Sequence, residues 1–243
     1  AQVDTLRWSA VHGPHVRELK LLVQDPGGSR AWGAAMTAMA LAPGMLALEL
    51  ECNDFGAAEW WRHLGRGLTR LGIYSNNSAA LARVPERGGL PASLLELQLD
   101  EALGAGPHAD LPRALGALSR LTLLYISDNR CTPAGDAPWR SLRGLAALRS
   151  LELDMFGLEE VPTAVSALTA LTSADFSSCY DLRGTLEPLA PLAASLRRLL
   201  VHPARVPRPS ALTALTALEE LWVGFDGGKL RDAAAAPLVE PGP

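Results

Sequence analysis

The sequence has little of what staples a small secreted domain or builds a metal centre. Its three cysteines, Cys52, Cys131 and Cys179, are far apart and form no C-x-x-C pair. An odd, scattered set argues against a disulfide framework and a zinc site, and favours a reducing compartment. Aromatic residues make up only 5% of the chain, which disfavours one core centred on large rings and favours many small, similar packing layers. There is no excess of positive charge. Lys and Arg number 22 against 26 Asp and Glu, a net charge of -4, so the chain lacks the basic footprint of a general nucleic-acid binder. Long apolar runs are missing too. Residues 31–50 carry a single charge, Glu49, but are rich in Ala and broken by Pro43-Gly44, whereas a spanning helix needs about 20 strongly apolar residues. No membrane span is expected. Nor does the start of the sequence show the basic segment and apolar run of a signal peptide.

Catalytic signatures are equally scarce. The sequence contains no G-x-x-x-x-G-K-[ST], G-x-S-x-G, H-E-x-x-H or G-x-G-x-x-G, and Gly104-Ala105-Gly106 lacks the third glycine. His12 and His15 flank Gly13-Pro14, a turn signal with no third ligand in sight. His63, His108 and His202 share no motif, and Cys179 with His202 would make a poor nucleophile pair. Neither an enzyme nor a cofactor or metal site is expected.

What the chain does have is repetition. In residues 111–131, Leu121, Leu124, Ile126 and Asn129 follow L-x-x-L-x-L-x-x-N, preceded by apolar Leu111, Leu115 and Leu118 at helical spacing. Copies start at Val16, Met45, Leu68, Leu94, Leu121, Leu148, Leu171, Leu196 and Leu218, at intervals of 29, 23, 26, 27, 27, 23, 25 and 22 residues. Each copy should turn three residues inward, at the anchor and three and five positions after it. All 27 such residues are apolar, where a chain that is 48% hydrophobic would supply about 13 by composition.

This pattern resembles the leucine-rich-repeat superfamily, whose period is about 20–29 residues. The Leu111-Pro112 opening of the unit is similar to the intracellular and plant-type branches. The resemblance implies an α/β solenoid: a curved horseshoe arc with a parallel β-sheet on the concave face and short helices or 3₁₀ segments on the convex face. It also implies a buried amide at the ninth position, filled here by Asn53, Asn76 and Asn129, with Cys179 as a substitute. Gln24, Ala102, Phe156, Ala204 and Asp226 depart from it, and the repeats at 94 and 196 fit least well. Pro following an apolar residue, at Val161-Pro162 and Val206-Pro207 as at Leu111-Pro112, suits the first turn of a return segment. A longer helix with Trp61, Leu64 and Leu68 on one face is expected over 57–68, with Trp60 covering a seam between repeats. The expected organisation is a partial repeat or cap over 1–15, a repeat domain over 16–226 and a disordered tail over 227–243.

Residues two, four, six and seven after each anchor should line the concave side. These 36 positions hold eleven acids, among them Glu49, Glu51, Glu96, Asp100, Asp128, Glu152, Asp154 and Asp175, and only three bases, Lys20, Arg70 and Arg198. Any strand face open to water needs polar residues, and that alone could account for the pattern. The functional reading is a non-catalytic scaffold for a basic protein or peptide, steered by the acids and anchored on Tyr74, Tyr125, Trp222 or Phe225. The alternative is the recognition arc of a larger signalling receptor or adaptor. Either reading expects no nucleic-acid partner, and the cysteine usage suggests a cytoplasmic setting, cytoskeletal association included.

Overall fold

The computed structural model describes residues 15–23, 29–52, 59–75, 81, 84–103, 113–127, 136–154, 158–182, 186–202 and 212–224. Nine strands form one sheet: β1 (Glu18–Val23), β2 (Ala47–Cys52), β3 (Arg70–Tyr74), β4 (Glu96–Asp100), β5 (Leu123–Ser127), β6 (Ser150–Asp154), β7 (Ser173–Phe176), β8 (Arg198–Val201) and β9 (Glu220–Val223). Their order in space is their order in sequence, and each pairs in parallel with the next. The register never slips. Equivalent positions face one another at every junction, including those of the repeats at 94 and 196.

One backbone device recurs at all eight junctions. The carbonyl one residue after each anchor accepts two N–H groups from the next repeat, as Leu46 O does from Thr69 N (2.8 Å) and Arg70 N (3.0 Å). The series runs through Arg17, Leu46, Thr69, Leu95, Thr122, Arg149, Thr172 and Arg197. Where the donor residue is threonine, its hydroxyl adds a third bond to the same oxygen: Thr69 and Thr122 donate at 2.9 Å and Thr172 at 3.1 Å. Because a one-residue slip would turn every leucine outward, this clamp and the hydrophobic pattern enforce the same pairing.

The core is a stack of three-residue layers. In the seven inner repeats, from Met45/Leu48/Leu50 to Leu196/Leu199/Val201, no inward residue is more than 2% exposed. The convex side is closed differently along the chain. An α-helix, α1 (Ser29–Ala40), backs the first repeats, and 3₁₀ segments at Arg113–Ala117, Ala137–Gly144, Thr163–Ala167 and Glu187–Leu192 back the later ones. The helix expected over 57–68 is instead one 3₁₀ turn, Trp60–His63, after which Leu64 is extended. Gly65 and Gly67 disfavour helix continuation, and Leu68 already serves as the next anchor. Trp60 and Trp61 meet edge to face at 6.1 Å, both buried, so they belong to the core. Pro162 stands one place earlier than expected, as the cap before Thr163 and not within the first turn.

Of the ninth-position residues only Ala102 and Cys179 lie among the described residues. The Cys179 thiol donates to Leu153 O at 3.1 Å in the preceding repeat, doing in sulfur what the family amide does in nitrogen. Ala102 has no such group, and its repeat turns through Glu101 at φ 49, a left-handed conformation that costs a non-glycine residue about 1–2 kcal/mol. Of the expected segment 1–15 all but His15, and the expected segment 227–243, Asn53, Asn76, Asn129 and the Pro112 and Pro207 turns, lie outside the described residues.

Candidate functional site

Side chains alternate across a strand, so with the leucines inward the intervening residues must share the other face. Glu49, Glu51, Tyr74, Glu96, Asp100, Tyr125, Glu152, Asp154, Asp175 and Trp222 all occupy those positions in β2 to β9. The face is thus assembled from seven strands, with Asp128 and Phe225 outside the described residues. Its edge is narrower than the seventh-position rule predicts. Val23, Cys52 and Ser75 are buried, and so is Ser127 at the sixth position of β5, because the chain dives towards the core as it leaves the sheet.

Charge on this face is not evenly mixed. All three bases are already paired: Lys20 Nζ lies 3.1 Å from Glu49 Oε2, Arg70 binds Glu18, and Arg198 Nε lies 3.0 Å from Glu220 Oε2. They stand on β1, β3 and β8. The four strands between, β4 to β7, present Glu96, Asp100, Glu152, Asp154 and Asp175 at their outward positions, and no base.

The electrostatic consequence appears at β6. The Glu152 carboxyl is pushed above its ordinary value, first by partial loss of hydration, then by Asp175 and Asp154, with Arg198 opposing. Asp154 is raised by the same loss of hydration and by Asp100 and Asp175, while hydrogen bonds from Ser178 and Ser127 pull the other way. Carboxylates that raise one another are only partly compensated by a local counter-ion, here Arg198 beside Glu152, and an incoming cation would add to it. Among the described residues no three His, Cys, Asp or Glu side chains converge in a way that holds a metal ion.

Aromatic groups flank this acidic centre. The Tyr74 hydroxyl donates to Gln98 Oε1 at 2.9 Å, and Lys20 Nζ sits 5.8 Å from the Tyr74 ring centre. Tyr125 lies in the acidic centre itself, its phenol raised mainly by burial. At the far end Trp222 is 46% exposed and forms a row with His202 (6.3 Å) and Tyr180 (4.9 Å from His202). Tyr180, nine places after the Leu171 anchor, flanks the turn beyond the strand, and the strand alternation that picks out the face does not reach it. The signal that could have found it is its lateral place beside His202.

An in-register parallel sheet of nine strands, one per 22–29 residues and backed by short helical turns, defines a leucine-rich-repeat solenoid. The chain has this fold, and solved structures share it. A leucine-rich-repeat protein of Leptospira interrogans superposes over 92% of this chain and 52% of its own, with a TM-score of 0.60 and 18% identity. Internalin C2 of Listeria monocytogenes covers 77% of this chain and 75% of its own (TM-score 0.55, 23% identity). TLR13, solved as a complex with ssRNA13, covers 89% of this chain and 34% of its own (TM-score 0.57, 20% identity). No protein-family model and no curated protein sequence matches the chain. Among the described residues no helix is long and apolar enough to cross a membrane.

Proposed function

We propose that this arc is a non-catalytic recognition scaffold that binds a basic segment of a protein or peptide across the centre of its concave face. The observation that carries the reading is the run β4 to β7, four consecutive strands that present five outward acids, on β4, β6 and β7, and no base, flanked by strands whose bases are paired in place. At about 4.8 Å per strand the whole ladder measures roughly 40 Å, room for an extended segment of many residues. Although TLR13 was solved with an RNA, an acidic centre repels phosphates, and nucleic acid is not the expected ligand here. Cys52 and Cys179 are buried among the core side chains, in keeping with the cytoplasmic setting suggested by the sequence. A second reading, the recognition arc of a longer receptor or adaptor, draws support from the length of two structural neighbours, of which the match covers 52% and 34%.

Fluorescein-labelled octa-arginine is a direct probe. Binding to the full chain, followed by anisotropy, should weaken about tenfold or more when Glu152 and Asp154 are reversed to Lys, with a shallower salt dependence. Unchanged affinity and salt dependence would sink the reading. Glu49 is a poorer choice for reversal, since Lys20 already neutralises it.

A further inference from the structure

Towards the N-terminal end of the concave face the sheet carries a cavity of about 380 Å³, and its shape follows from two small residues. Ala47 stands at the second position of β2 and Gly72 at the fourth position of β3, diagonal neighbours in the register. Ala47 leaves a gap where adjoining repeats carry long side chains, whereas Gly72 is buried and lets the Tyr74 ring close down over it, 3.0 Å from where a Cβ would stand. Ion pairs fence the gap. Arg70 reaches across Ala47 to Glu18, two strands away, and Lys20 binds Glu49. On the far side Tyr74 pins Gln98 by its 2.9 Å hydrogen bond, so that wall is fixed as well.

Among the lining carboxylates Glu96 differs. Arg70 faces Glu96 across β3 and β4 as it faces Ala47 across β2 and β3, yet its guanidinium is turned to Glu18. Glu18 and Glu49 each hold a cation, whereas Glu96 holds none among the described residues. The cavity therefore has the Ala47 Cβ in its floor, the Tyr74-covered Gly72 at its side and, among the described residues, one carboxylate without an ion pair, Glu96. We propose that it is a specificity pocket for one basic side chain of the partner, whose apolar stem lies beside Ala47 and whose cationic head meets Glu96. This rests on the reading of the concave face as a site for a basic segment, and it adds the place where one residue of that segment is read individually.

The test is an NMR titration of the 15N-labelled full chain with N-acetyl-arginine amide, N-acetyl-lysine amide and N-acetyl-citrulline amide. Citrulline keeps the shape of arginine without its charge. Saturable shifts at the Ala47 and Gly72 amides with either cation, and none with citrulline, are expected. Ala47→Leu, which fills the floor, and Glu96→Gln, which removes the charge and keeps the shape, should each weaken binding about tenfold. Equal shifts with citrulline, or binding indifferent to both substitutions, would overturn the assignment. Octa-arginine binding that still depends on Glu152 and Asp154, with no shift at Ala47 or Gly72 from either cation, would overturn the pocket and leave the broader reading standing.

Discussion

Glu152 and Asp154 show what crowding acids on one outward face does to their own titration. In the unfolded chain they ionise near 4.5 and 3.8; in the fold both are raised, first by lost hydration and then by their acidic neighbours. The native state therefore holds their protons more tightly than the unfolded state does. Stability from this source is full below the ordinary carboxylate values, falls as pH climbs from those values through the raised ones, and stays lower at neutral pH. Replacing the pair by Glu152→Gln and Asp154→Asn should raise Tm at pH 7, and the gain should vanish as pH drops below the ordinary range. A lower Tm at pH 7, measured by circular dichroism, would mean that the hydrogen bonds Asp154 accepts from Ser127 and Ser178 outweigh the repulsion. At this scale the sequence was informative about position and silent about strength. That Glu152 and Asp154 share a face follows from alternation, but not that Lys20, Arg70 and Arg198 are spent on other acids.

The convex elements answer to close approach more than to helix propensity. A Cβ built on Gly144 would lie 2.1 Å from Gly116 O, so the segments Arg113–Ala117 and Ala137–Gly144 stack this closely only because position 144 is glycine; at Gly116 a Cβ would meet Ser141 O at a tight 3.3 Å. Gly144→Ala should destabilise the chain by about 1–3 kcal/mol in urea unfolding. Gly33 offers the opposite case. It sits inside α1, and an alanine Cβ there would meet nothing within 4 Å, so Gly33→Ala should be stabilising by about 0.5–1 kcal/mol through reduced backbone entropy of the unfolded chain. Strands were readable from the leucine period because each buries one face. The convex segments were less so: the same apolar spacing suits an α-helix and a 3₁₀ turn, and the choice between them at 29–40, 57–68 and 163–167 depends on how much room the adjoining repeat leaves.

A solenoid buries its core only where a repeat has neighbours on both sides, so its stability is graded along its length. Leu151 in the middle is fully buried; Leu221, at the equivalent inward position of β9, is 45% exposed. Leu151→Ala should therefore cost about 2–5 kcal/mol and Leu221→Ala less than about 1 kcal/mol, although the sequence pattern ranks them alike. Equal losses in denaturant titrations would show that other parts of the chain bury β9 as fully as an inner strand. Exposed Leu221 and Trp222, beside His202 and Tyr180, give the C-terminal end an apolar rim that the acidic centre lacks. The same end effect leaves Val16, Leu19 and Leu21 of the first repeat only partly buried.

The sequence by itself determined the repeat: 27 apolar inward positions at a period of 22–29 residues leave a chain of this composition few ways to hide them except one layer stacked on another. It thereby determined which residues face outward, since alternation in a strand is local geometry and needs no knowledge of the neighbours. What only the tertiary structure decided is how those outward residues pair. Lys20 with Glu49, Arg70 with Glu18 and the thiol of Cys179 with Leu153 O join residues 26 to 52 apart, through side-chain rotamers and sheet curvature that no linear pattern encodes. Charge balance on a curved face is a property of such distances. For that reason the acidic centre, and the carboxylate of Glu96, which holds no cation among the described residues, become visible only once the strands are side by side.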